Sequence, residues 1–132
     1  MDGGAKVLIA IALFALPTVM FGGFSLLRLL VGRQLNEFQA AYFRAGHAHA
    51  GVLLILALVV VDILDRAGVH GAPLWTTGVL LVIGTLAQPG GMFLHMAVGQ
   101  PGKWSVGNTV SVAGAVALAA ALITAAVEVI AA

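Results

Sequence analysis

The stretch AYFRAGHAHAGVLLILALVVVDIL, residues 41–64, decides the fold. From Val52 to Val61 it is unbroken apolar side chain, and it closes on Asp65 and Arg66. A segment of about 20 mostly apolar residues is long enough to cross a bilayer. Inside hydrocarbon every backbone N–H and C=O must be paired within its own segment, which makes this stretch a helix. Yet its first third carries Arg44, His47 and His49. Ionisable groups within a membrane are costly, face the protein interior and mark sites.

The rest of the chain extends this reading. Of 132 residues, 61% are apolar and 8% charged, where a soluble domain has roughly a quarter charged. The composition is that of a membrane protein. Net charge is +1 with no run of Lys or Arg, which gives no reason to expect nucleic acid. There is no cysteine, which excludes disulfides, thiolate metal sites and covalently attached haem. Three further apolar segments lie at about 6–31, 74–98 and 105–130, beside the one at 41–64. The first begins like a signal peptide, but it runs past Pro17 to Leu30, too long for the apolar part of one, and is read as a retained span. Short turns join the spans, with Gly and Pro in those at "DRAGVHGAP" and "GQPGKW". Such turns make neighbours antiparallel. The expected fold is all-α: an integral membrane, antiparallel four-helix bundle forming one domain over residues 1–132. The turns after the first and third spans share a side with Arg33 and Lys103, and Arg28 and Arg44 lie just inside it. Positive charge favours the cytoplasm, so both termini are expected outside, in a multi-pass protein of the cell's inner membrane.

Helix geometry maps the polar residues, at about 100° and 1.5 Å per residue. On the second span Arg44, Gly51 and Ile55 share a stripe, with His47 beside it. His49 is two residues from His47, so the two rings face nearly opposite sides and cannot serve one metal from a regular helix. On the third span Thr77, Gly84, Gln88, Gly91 and His95 form a polar, small-residue stripe that lets a partner helix or a flat ligand come close. Pro89 in that span leaves the carbonyl of Thr85 without its helical donor and should kink the helix. Thr18, Gly22 and Ser25 make a small stripe on the first span, and Ser105, Asn108 and Ser111 cluster near the start of the fourth. Counted along the helices, Arg28, Arg44, His47, His49, His95 and Asn108 reach similar depth on one side of the membrane.

Neutral imidazole is a good ligand for iron, copper or zinc. With no cysteine, and Glu37 the one carboxylate on that side, zinc is poorly served. Haem b suits the set better: one or two axial histidines, an apolar slot and basic groups for the propionates. His49 and His95 are the expected iron ligands. Arg28, Arg44, His47, Gly51, Gly84, Gln88, Gly91 and Asn108 are expected to line the cofactor. No acid lies at the right depth for a Ser/His/Asp set, no phosphate-binding loop is present, and no continuous polar track crosses the membrane.

The segment HAHAGVLLILALV resembles the styrene oxide isomerase family, which reads approximately Arg-Ala-His-Ser-Gly before an apolar run. The resemblance implies a small four-helix membrane protein that binds haem b, forms trimers and converts aryl epoxides to aldehydes. It makes His49 the iron ligand, followed by Ala50 and Gly51, with ferric haem acting as Lewis acid on a small apolar substrate. The family's Asn about two turns after the histidine is Ile55 here. Its third-helix Tyr and acidic or amide residues are replaced by Gln88 and His95, Tyr42 being the one Tyr in the chain. Two other readings follow from the same residues. One is a b-type cytochrome with His49 and His95 both on iron. The other is a non-enzymatic subunit or assembly factor of a larger membrane complex, docked through its small-residue stripes.

Overall fold

The computed structural model describes all residues, 1–132, as four helices and their turns. They are α1 (Gly3–Val31), α2 (Glu37–Arg66), α3 (Ala72–Val98) and α4 (Val106–Ala131). All four are long and apolar enough to cross a membrane. Each begins where its sequence supplies a start. Asp2 Oδ2 accepts from the Gly4 N–H at 2.7 Å. Asn36 and Gln39 form a reciprocal capping box, at 2.9 and 3.1 Å. Pro73 stands in the first turn of α3, where a missing N–H costs nothing. Ser105 and Asn108 cap α4. The capping box explains why α2 starts at Glu37, four residues before the apolar segment at 41: polar residues extend the helix through the headgroup region.

The helices run antiparallel. The Asp2 N–H, at the start of α1, donates to Asp65 Oδ1 at the end of α2, at 2.7 Å. Thr77 Oγ1, in the first turns of α3, donates to Glu128 Oε2 in the last turns of α4, at 3.0 Å. The tightest pair is α3 with α4; α2 lies against α3, and α1 rests on α2 with little contact to α3 and none to α4. Pro17 sits midway along α1.

Close approach of α3 and α4 follows from glycine. Gly84 and Gly91 on α3 meet Gly107 and Gly114 on α4, and a Cβ at any of the four would strike backbone of the opposite helix. The polar stripe expected on α3 is therefore the seam with a partner helix. A hydrophobic cluster including Leu8, Val61, Leu64, Leu74, Leu81 and Leu118 fills the half of the bundle nearer Asp65. Outward faces are equally apolar, with Phe14 82% and Ile130 86% exposed. In water such surface would drive aggregation; in lipid it is the solvated face.

The Asp65 carboxylate accepts from the Asp2 N–H and lies 3.9 Å from the N-terminal amine, so Asp65→Ala should lower stability by about 1.5 kcal/mol, the worth of a hydrogen bond to a charged group. Thermal unfolding in detergent reads this out.

Candidate functional site

His47 and His49 lie about 200° apart around α2, so the two imidazoles leave the helix on different sides. His49 Nδ1 is 2.8 Å from the Ala45 carbonyl oxygen. A carbonyl only accepts, so Nδ1 carries the proton and the Nε2 lone pair of the neutral ring is left over. No protein group bonds that nitrogen. The arrangement is the one in which metal-binding histidines are commonly held, one ring nitrogen anchored to a carbonyl and the other free.

His47 faces α1. A Cβ on Gly23 would lie 2.9 Å from its Nε2, and one on Gly22 3.6 Å from its Nδ1. The two glycines thus provide the floor on which the ring rests. His47 also borders a cavity of about 240 Å³ between α1, α2 and α3, whose walls include Thr18, Leu54, Thr85, Pro89 and Phe93. A smaller void of about 40 Å³ adjoins it, sharing Ala15, Leu54, Thr85 and Leu86. This cleft exists because α1 and α3 barely touch.

His95 is buried at the other side of α3. Its Nδ1 lies 2.7 Å from Ser105 Oγ, and that oxygen also accepts from the Gly107 N–H at 3.1 Å. Phe38 and Tyr42 of α2 pack edge-on against the ring, at centroid distances of 5.2 and 4.4 Å. His95 therefore fastens the end of α3 to the starts of α2 and α4. Tyr42 is seven residues before His49, about 10 Å along the axis. The structure does not bring His95 and His49 together.

The remaining expected site residues are scattered in the same way. Arg44 is exposed on α2, about 140° around the helix from His49. Arg28 is exposed on α1, its guanidinium 5.8 Å from the Phe24 ring centre. Gly51 faces Val19 of α1. Gly84 and Gly91 are consumed by the α4 seam. The main-chain carbonyl of Gln88 accepts from Ser111 Oγ at 2.8 Å, and Asn108 Oδ1 accepts from the Ser105 N–H at 2.9 Å. Equal depth did not mean adjacency: the cavity that His47 borders is lined by none of the other expected site residues. Nor do three or more His, Asp or Glu side chains gather to hold a metal ion on their own.

Thr85 is the residue that the sequence reading passed over as a side chain. It is 4% exposed, and its Oγ1 is buried with no hydrogen-bond partner. Thr18 and Thr124 satisfy their hydroxyls on their own helices, at 2.6 Å to the Ala15 carbonyl and 2.8 Å to that of Ala120. An unpaired buried hydroxyl costs about 1–3 kcal/mol. The sequence signal was the four-residue spacing of Thr85 and Pro89, which strips the same residue's carbonyl of its ordinary donor.

No known protein family, curated protein or solved structure matches the chain.

Proposed function

We propose that the protein is a haem-b-binding, multi-pass membrane protein of the styrene oxide isomerase type, with His49 as the iron ligand. The observation that carries this reading is the anchored ring: Nδ1 held by the Ala45 carbonyl, Nε2 unclaimed. The His-Ala-Gly motif at residues 49–51 supports it. The donor fits the cofactor; the residues expected to enclose it do not, because Gly84, Gly91 and His95 are engaged between helices and Asn108 caps the start of its own. A porphyrin on His49 would need lipid or another polypeptide for its outer wall, which agrees with a homo-oligomer, a trimer by resemblance, in the inner membrane. A ferric haem there would supply Lewis acidity toward an oxygen of a small apolar substrate. The chain's own contribution is to fix the His49 tautomer and to keep the surroundings free of competing ligands and of water. A cytochrome centre with two histidines is not favoured, because the His95 ring is packed against Phe38 and Tyr42, about 10 Å along α2 from His49.

The test is the optical spectrum of detergent-purified protein after incubation with haemin. A Soret band that is lost in His49→Ala and kept in His47→Ala and His95→Ala is expected. A protein that takes up no haem, or whose band ignores His49→Ala, overturns the reading.

A further inference from the structure

On the opposite side of α2 from His49, we propose a second site: the cleft between α1, α2 and α3 binds a small, membrane-soluble alcohol or phenol, with its hydroxyl on Thr85. This goes beyond the haem reading and does not depend on it.

Three observations converge on Thr85. Its hydroxyl is buried and unpartnered. Its carbonyl faces a proline four residues on, which has no N–H to give. Its side chain lines both voids of the cleft, and because the hydroxyl itself is covered, a turn about χ1 is what brings it to a ligand there. Thr85 also stands thirteen residues from each end of α3, Ala72 and Val98, about 20 Å by helical rise. That is mid-membrane, where no bulk water reaches the unpaired hydroxyl or the carbonyl that Pro89 leaves without its ordinary helical donor. Broken helices with freed backbone groups at this depth are where membrane proteins hold polar parts of their ligands.

The pair of groups defines the ligand. Thr85 offers one O–H donor and one carbonyl acceptor. A hydroxyl both accepts and donates, so one ligand hydroxyl satisfies both. An ether or epoxide accepts only and leaves the carbonyl bare. A lipid acyl chain fills the space and satisfies neither. The walls, including Leu8, Ile11, Leu54 and Leu81, call for an apolar body. The 240 Å³ cavity exceeds the 150 Å³ that accommodates benzene, which sets the body at roughly ten heavy atoms. His47, on its glycine floor at the other end of the cavity, is placed to meet a second polar atom where the ligand has one.

The experiment uses the full chain in lipid nanodiscs. A diazirine-bearing 4-propylphenol is photolysed and its adducts are mapped by peptide mass spectrometry, with 4-propylphenol or propylbenzene as competitor at matched membrane concentration. Adducts are expected on the α1, α2 and α3 residues of the cleft, and propylphenol should compete at least tenfold better than propylbenzene. Thr85→Val, which keeps shape and removes the hydroxyl, should abolish that preference without lowering the thermal midpoint, since the hydroxyl has no protein partner to lose. Ala15→Leu, which fills the cavity from α1, should suppress the adducts while His49-dependent haem binding is unchanged. Equal competition by propylbenzene, adducts outside the cleft, or a hydroxyl preference that survives Thr85→Val overturns the proposal. So does failure of Ala15→Leu to reduce labelling in a folded protein.

Discussion

Adding one methyl group to Gly107 and one to Gly114 is expected to prise α3 from α4. A Cβ on Gly107 would meet the backbone nitrogen of His95 and, at 2.6 Å, the Gly91 carbonyl oxygen. A Cβ on Gly114 would meet the nitrogen of Gln88 and, at 2.8 Å, the carbonyl carbon of Ala87. These are main-chain atoms of a regular helix, so no side-chain rotation relieves the clash and the helices must separate. Overpacking costs about 1–3 kcal/mol per site, and backbone contact places each substitution at the upper end. Seven residues separate the two, about 10 Å, but one separation of the helices relieves both clashes, so the joint cost should fall short of the sum, at about 3–5 kcal/mol. Alanine is the better helix former by up to about 1 kcal/mol, so intrinsic propensity pushes the other way. Gly90→Ala is the control, because a Cβ there meets nothing within 4 Å. Thermal unfolding in detergent should show a large loss for the double variant and none for the control. An unchanged midpoint in the double variant would refute the seam.

The second large effect concerns His95. His95→Ala empties a space enclosed by Phe38, Tyr42 and Ser105. Loss of a buried ring of this size, with a hydrogen bond, should cost about 2–4 kcal/mol. His95→Asn, which keeps a polar atom near Ser105, should recover part of it. Haem uptake per folded molecule should stay at the wild-type level in both. If His95→Ala kept full stability and lost the Soret band, the residue would be an iron ligand and its assignment as a helix fastener would fail.

The sequence states much of the fold openly. Apolar length and Gly/Pro turns mark the four helices to within a few residues. The exception is α2, whose start at Glu37 is encoded by Asn36 and Gln39 and not by hydrophobicity. The stripe of Thr77, Gly84, Gln88, Gly91 and His95 is legible as one face. Its partner is not, because any of the other helices offers small residues, and pairing with α4 depends on Gly107 and Gly114 reaching the right register. The site is harder for a geometrical reason. Counting residues gives depth along the membrane normal, whereas proximity also needs rotation about each axis and the order of helices around the bundle. Arg28, Arg44, His47, His49, His95 and Asn108 agree in the first coordinate and disagree in the others. The two-residue spacing of His47 and His49 did carry rotational information, and there the inference of opposite faces agrees with the structure, where His47 lies on α1 and His49 on its own helix's carbonyl.

Pro17 gives the cleft a particular relation to its surroundings. One end of α1 is held at Asp65 and the other by the short turn into α2, while its midpoint lacks a backbone hydrogen bond. A rod fixed at both ends and weakened at the centre bows at the centre, here opposite Thr85. Traffic with the interior would then pass through the oily middle of the bilayer and bypass the headgroups. Occupancy would follow oil–water partition, and ions and zwitterions would be turned away by solvation energy before any side chain inspects them.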